Sequence, residues 1–251
     1  MILTVDIGNS NIVLGGVEGD EIVFEARLRT DNTKTSDEYC IDLKMILDVY
    51  KIQPDVIEGS IIASVVPQVL NSLQTAIKKL TGKTSLVVGP GLKTGLNIKI
   101  ENPAQTGADL VVGNVAALRE HKPPLIVIDM GTATTMTVLD ETGALIGGCI
   151  CPGVKISLDA LTERTALLPG LPKKAIGRNT IDCMRSGIMM GNACMLDGMI
   201  ERMEAELGKK CTVVATGGIA KFVIPMCKTP IIYDKDLIVK GLSMLYRDNK
   251  R

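Results

Sequence analysis

The chain has 251 residues, room for one domain or for two compact lobes of about 120 residues each. Lys plus Arg number 28 and so do Asp plus Glu, so there is no net field to hold a polyanionic nucleic acid or an anionic membrane surface. Four Tyr, two Phe and no Trp argue against base-stacking platforms, while a 46% hydrophobic, mostly aliphatic composition excludes disorder and suits helices packed on sheets.

Met1-Ile2-Leu3-Thr4-Val5-Asp6 carries no basic segment and no long apolar core, so no signal peptide is expected. Ile2–Ile7 reads as an apolar strand, and Asn11–Val17 and Glu21–Arg29 alternate as two more around the turn Glu18-Gly19-Asp20. Thr35-Ser36-Asp37-Glu38 opens a helix through Tyr39, Leu43, Ile46 and Leu47. A strand over Ile61–Val66 stops at Pro67, a helix runs through Leu70, Leu73 and Ile77, and a strand spans Ser85–Val88. Gly82-Lys83-Thr84 imitates the end of a phosphate-binding P-loop, but Ile77 stands where the leading glycine belongs. It reads as a helix end and turn. Gly89-Pro90-Gly91 precedes no capped helix and is no dinucleotide fingerprint. His121, the single histidine, sits beside Lys122-Pro123-Pro124 in a predicted loop and gives no support to a Ser/His/Asp triad.

The pattern then restarts. Leu125-Ile-Val-Ile-Asp129-Met-Gly131 repeats the strand, aspartate, any residue, glycine order of Leu3-Thr-Val-Asp6-Ile-Gly8 after 123 residues. Asn9-Ser10-Asn11 follows in one half and Thr132-Ala133-Thr134-Thr135 in the other. A strand, a glycine turn (Gly19; Gly143), another strand, helices and two apolar strands follow each, the last pair at Cys211–Ala215 and Pro230–Tyr233. The expectation is an α/β fold from a duplicated β-β-β-α-β-α unit: two similar lobes with a cleft between them. Within residues 182–204, Gly187, Gly191 and Gly198 with Met184, Met195 and Met199 predict close helix packing with methionine filling gaps.

Seven cysteines without a CxxC, and one histidine, do not make a zinc site; free thiols buried in a reducing cytosol are expected. Cys149 and Cys151 project from one side of a predicted strand. No apolar run approaches the roughly 18 residues of a membrane span. The expected location is cytoplasmic, with no nucleic-acid or membrane partner.

The paired Asp-x-Gly turns carry the chemistry. Phosphate oxygens need backbone N–H donors at close approach, which glycine permits, and Ser, Thr and Asn add neutral donors. An aspartate at the strand end can hold Mg²⁺ or another cation beside the phosphates. Val213-Val214-Ala215-Thr216-Gly217-Gly218, a strand entering Thr-Gly-Gly before a helix, lets backbone approach a nucleotide. Together these features resemble the cleft of the sugar kinase, actin and heat-shock chaperone ATPase superfold, which implies two ribonuclease H-like lobes with a nucleotide cleft between them.

Within it the chain resembles the type III pantothenate kinases over essentially its whole length. The resemblance rests on Asp6-x-Gly8-Asn9-Ser10-Asn11, Ser64-Val65-Val66-Pro67 and Gly89-Pro90-Gly91-x-Lys93-Thr94-Gly95. It continues through Glu101-Asn102-Pro103, Gly107-Ala108-Asp109 and Asp129-x-Gly131-Thr132-Ala133-Thr134-Thr135. Gly148-x3-Pro152-Gly153, Gly177-x-Asn179-Thr180 and Thr216-Gly217-Gly218 complete it.

The resemblance implies ATP-dependent phosphorylation of pantothenate, the first step of coenzyme A synthesis, by a cytoplasmic homodimer using Mg²⁺ and a monovalent cation, K⁺ or NH₄⁺. Asp6, Ile7, Gly8, Asn9, Ser10, Asn11, Ile12 and Val13 would hold ATP phosphates, with Asp6 a candidate Mg²⁺ ligand. Thr132, Thr216, Gly217 and Gly218 would complete the ATP site, and Asp129 would bind the monovalent cation. Asp109 would be the general base, with Ile100, Gly107, Ala108, Leu110 and Thr180 lining the acceptor pocket. Residues 1–115 would form an N-terminal lobe with the first phosphate turn and the substrate segment. Residues 116–251 would form a C-terminal lobe with the second turn and the adenosine segment.

Two positions depart from the family pattern: Leu110 stands where the family has arginine, and Ile100 where it has tyrosine. Both remove polar groups from the acceptor side. A same-fold kinase for another small acceptor, or a non-catalytic nucleotide-binding paralogue, therefore stay open.

Overall fold

The N-terminal apolar run becomes β1 (Ile2–Ile7), the middle strand of a five-stranded sheet. The structure is a computed structural model and describes residues 1–162 and 174–250. β1 pairs antiparallel with β2 (Asn11–Glu18), which pairs antiparallel with β3 (Glu21–Arg29). α1 (Ser36–Val49) follows, then β4 (Gly59–Ser64), parallel to the other side of β1. α2 (Pro67–Thr81) leads to β5 (Leu86–Val87), parallel to β4.

The helix signals are physical ones. Thr35 Oγ1 accepts the Glu38 N–H at 3.3 Å while the Glu38 carboxylate accepts the Thr35 N–H at 2.8 Å, a complete capping box. Pro67 opens α2, where its missing N–H costs nothing, and Gly82 closes it in the left-handed region at φ 72°. The strand before α2 ends at Ser64 rather than Val66.

After α3 (Ala108–Glu120) comes a second sheet: β6 (Leu125–Met130), β7 (Ala133–Leu139) and β8 (Leu145–Pro152). α4 (Val154–Thr162) and α5 (Thr180–Arg185) follow. A π-helical turn over Ser186–Met190 joins α5 to α6 (Gly191–Leu207). β9 (Thr212–Thr216), α7 (Ala220–Val223), β10 (Ile232–Tyr233) and α8 (Leu237–Asn249) end the chain. The first sheet runs β3-β2-β1-β4-β5 and the second β8-β7-β6-β9-β10, with the same sequence of antiparallel and parallel pairings.

The chain divides into two compact units. The first comprises Met1–Gly95, Asn102–Ala116 and the segment from Leu237; the second comprises Leu96–Glu101 and Ala117–Asp236. This differs from the expected boundary at 115/116, because α8 belongs to the first unit. Its Val239 lies against Gly15 and its Tyr246 against Gly59, positions where a Cβ would collide with those side chains. Leu96–Glu101 joins the second unit through the parallel bridge of Ile98 to Leu145.

In the first unit, Leu3, Val5 and Ile7 face a core closed by Tyr39, Leu43 and Leu47 of α1 and Val69, Leu73 and Ile77 of α2. Strand alternation sends Thr4 and Asp6 to the opposite face. α8 covers that face, and α3 packs on α8 where Gly241 meets Val112. In the second unit, Ile126, Ile128, Met130 and Met136 share a core with Ala193, Leu196 and Ile200 of α6. Asp129 therefore lies on the other face of its sheet, as Asp6 does on its own.

Two expectations need correction. Gly187, Gly191 and Gly198 make no close helix contact: a Cβ at each would meet nothing within 4 Å among the described residues. They lie off the buried stripe of α6, which is Ala193, Leu196 and Ile200, whereas Met195 and Met199 do pack on the core. The seven cysteines are free, but none is fully buried, and Cys183 and Cys194 are exposed. No helix among the described residues is long and apolar enough to cross a membrane.

Candidate functional site

β1 carries Asp6 at its penultimate position, and the chain reverses through Gly8-Asn9-Ser10 into β2. The Gly8 N–H donates to the Asn11 carbonyl at 3.0 Å, and a Cβ on Gly8 would sit 3.1 Å from that oxygen, so the turn is tight. Asn9, Ser10 and Asn11 are exposed; Ile7 and Ile12 are fully buried beneath them. Thr30 locks the reversal: its hydroxyl donates to the Gly8 carbonyl at 2.7 Å and its N–H to the Ser10 carbonyl at 3.1 Å. Thr30 escaped the sequence reading because only the β2–β3 register, Asn11 opposite Arg29, brings it beside the turn.

The second turn repeats this with one residue fewer. Asp129 is penultimate in β6, and Gly131-Thr132 reverses the chain into β7, with the Gly131 N–H donating to the Ala133 carbonyl at 3.0 Å. Two glycines grip it. Gly217, at φ 99°, lies so close that a Cβ would stand 2.5 Å from the Met130 carbonyl oxygen. A Cβ on Gly153, just after β8, would stand 2.1 Å from the Thr132 carbonyl oxygen. The parallel register pairs Asp129 with Thr216, so Thr216 and Gly217 are brought directly to the Asp129 turn, with Gly218 exposed beyond. Gly153 was not among the predicted site residues, although Pro152-Gly153 after a strand was its signal.

Asp109 lies in the first turn of α3, half-buried, with its Oδ1 accepting the Leu110 N–H at 2.8 Å. A Cβ on Gly107 would stand 2.4 Å from that oxygen, so glycine there makes room for the carboxylate. Burial pushes the Asp109 carboxyl above the usual range, against the two backbone hydrogen bonds that pull it down. Such a carboxylate is a stronger base than an exposed one, and Oδ2 remains to take a proton. α3 packs on α8, which covers the sheet face that carries Asp6, so both aspartates belong to one side of the first unit. Gly107, Ala108 and Leu110 surround Asp109 in sequence and are half-buried with it. Ile100, also half-buried, falls in the Leu96–Glu101 segment of the second unit. Thr180 is exposed at the start of α5, directly after the cap Asn179, whose Oδ1 accepts the Asp182 N–H at 2.9 Å.

Asp6 and Asp129 offer carboxylate oxygens at strand ends next to exposed turns, the hard donor type that Mg²⁺ and K⁺ take. The donor chemistry fits both ions.

A family model described as type III pantothenate kinase matches residues 2–202. The type III pantothenate kinase of an Exiguobacterium species is 42% identical over 255 residues, covering all of both chains. That of Halalkalibacterium halodurans is 42% identical over 253 residues, covering 99% of this chain and 100% of its own. Among solved structures, component A of (R)-2-hydroxyglutaryl-CoA dehydratase from Acidaminococcus fermentans superposes with a TM-score of 0.61 at 16% identity. It covers 100% of this chain and 99% of its own, a likeness of fold.

Proposed function

The chain belongs to the type III pantothenate kinase family, and from that membership we propose the roles of its residues in moving the γ-phosphoryl group of ATP to pantothenate. This reaction opens coenzyme A synthesis. The observation that carries the reading is the family match across residues 2–202 together with full-length identity of 42% to named relatives.

Asp6 to Val13 hold phosphate oxygens through turn N–H groups and the side chains of Asn9, Ser10 and Asn11. Thr132, Thr216, Gly217 and Gly218 serve the nucleotide. Asp6 would hold Mg²⁺ and Asp129 the monovalent cation; when bound, such ions neutralise charge that builds on the transferring phosphoryl group. Asp109 takes the proton of the pantothenate hydroxyl at Oδ2 as that oxygen attacks the γ-phosphorus, while the Leu110 N–H holds Oδ1 still. Gly107 and Ala108 shape the backbone around this base, and Ile100, Leu110 and Thr180 contact the acceptor. Phosphoryl transfer asks mainly for alignment and charge neutralisation, so one base with N–H donors and cations suffices. The matching order of the two sheets supports a duplicated, ribonuclease H-like origin. A cytoplasmic homodimer is part of the same reading.

Leu110 and Ile100 favour one second reading, a kinase of this fold with a different small acceptor. ATP turnover across a panel of hydroxy acids and alcohols, with K⁺ present, separates the two. Pantothenate should be the best acceptor. A panel in which another compound gives a higher kcat/KM and pantothenate gives none would replace it.

A further inference from the structure

Cys149 and Cys151 lie two residues apart on β8, the outermost strand of the second sheet, and play no part in the reaction above. Their side chains share the face turned to the second core, where Cys149 packs directly on the apolar cluster. The register sets Met136 opposite Cys149 and Thr134 opposite Cys151, so a thioether and a hydroxyl complete the same patch. Met136 and Thr134 are fully buried, whereas Cys149 and Cys151 are half-buried. The Thr134 Oγ1 is buried with no hydrogen-bond partner among the described residues.

Same-face neighbours on a strand stand two residue rises apart, roughly 6.6 Å. The Cys149 and Cys151 thiols interact with each other across that spacing. One ion bridging them through two bonds of about 2.3 Å spans the gap. No group of three or more His, Cys, Asp or Glu side chains able to hold a metal exists among the described residues, so a four-coordinate zinc site is not formed here. Two thiols beside a thioether match a soft cation content with two sulfur ligands. Burial and the neighbouring Cys151 thiol push the Cys149 thiol up to about 11, so Cys149 keeps its proton until an ion displaces it.

We infer that Cys149 and Cys151 form a binding site for a single soft monovalent cation of the Cu(I) type. Binding converts two thiols and one Cu⁺ into a bis-thiolate complex of charge −1 and releases two protons to solvent.

The test is an anaerobic competition in which the full-length protein, with ascorbate present, takes Cu(I) from a coloured bicinchoninate complex. Wild type should withdraw one equivalent. C149S/C151S should show at least a hundredfold weaker affinity, and C183S/C194S, altered at the exposed thiols, should still withdraw one. A second readout needs no variant: Cu(I) should shield Cys149 and Cys151 of the wild type from iodoacetamide, read by peptide mass, and leave Cys183 and Cys194 labelled. Copper left on the chelator by wild type, an equivalent that survives in C149S/C151S, or shielding that falls on other cysteines would each overturn the site.

Discussion

Burial of the Asp109 carboxyl costs stability near neutral pH. Its raised pKa means that the folded chain binds this proton more tightly than the unfolded chain does. The contribution to stability is complete below the unfolded value of about 3.9 and is lost as pH rises through the folded value. Asp109→Asn keeps the shape and the bond from the Leu110 N–H but cannot take a proton. Calorimetry should find the variant more thermostable than wild type at pH 7, the gap closing as pH falls towards 4. Steady-state assays should find kcat lower by about 10²–10⁴-fold, the usual reach of general base catalysis, with ATP binding retained. In the wild type, kcat/KM should fall as acid protonates Asp109. Leu110 makes the opposite point, since its side chain cannot meet an anionic acceptor as arginine would. A charge-assisted hydrogen bond contributes roughly 1.5–3 kcal/mol. Leu110→Arg should therefore raise kcat/KM for pantothenate by about 10–100-fold, more with Ile100→Tyr, and leave the KM for ATP unchanged. A lower kcat/KM in the double variant would show an acceptor pocket rebuilt around apolar groups.

At the level of elements, the two Asp-x-Gly turns are held by different means. Hydrogen bonds from Thr30, which follows β3, brace the first. The second is gripped by backbone contact, Gly217 on Met130 and Gly153 on Thr132. Substitution at the two turns should therefore fail differently. Gly217→Ala forces a Cβ into the Met130 carbonyl at a residue whose φ is 99°, so the end of β6 must shift. Its expected signature is a KM for ATP raised about tenfold or more in a folded protein. Thr30→Val removes only the bond from the hydroxyl and leaves the one from the N–H, so a smaller rise is expected. Equal effects of the two variants would show that the contact at Gly217 does not position the turn.

Across the whole chain, the C-terminal helix ties sequence-distant segments into the first unit. Leu237, Val239, Leu242, Leu245 and Tyr246 of α8 are buried there, and Arg247 pairs with Asp20 at 2.8 Å. Burying each of those five side chains contributes roughly 1.5–3 kcal/mol, together comparable to the ~5–15 kcal/mol that holds a domain folded. A chain ending at Asp236 should lose the first unit: hydrogen exchange should show β1, β2 and β4 unprotected while β6 and β9 stay protected. Sedimentation at micromolar concentration should give a dimer, and a monomer would remove the homodimer from the proposed function.

The local code was legible because its signals act over a few residues. Strand alternation in Ile2–Ile7, the Thr35 to Glu38 capping box and the paired Asp-x-Gly turns each follow from neighbours that touch within one element. The repeat at an offset of 123 residues disclosed two sheets built alike, and the ordered motifs disclosed the family. Other features depended on register and packing between distant segments, which no local pattern encodes. The register of β2 on β3 brings Thr30 to its turn, and the glycine approaches reveal what Gly153 grips. The apolar face of α8 chose the first sheet over the second although it follows the second in sequence. The same distinction explains Gly187, Gly191 and Gly198. Their spacing suggests a helix contact, but a small residue permits close approach without supplying a neighbour, and the buried stripe of α6 turned another way.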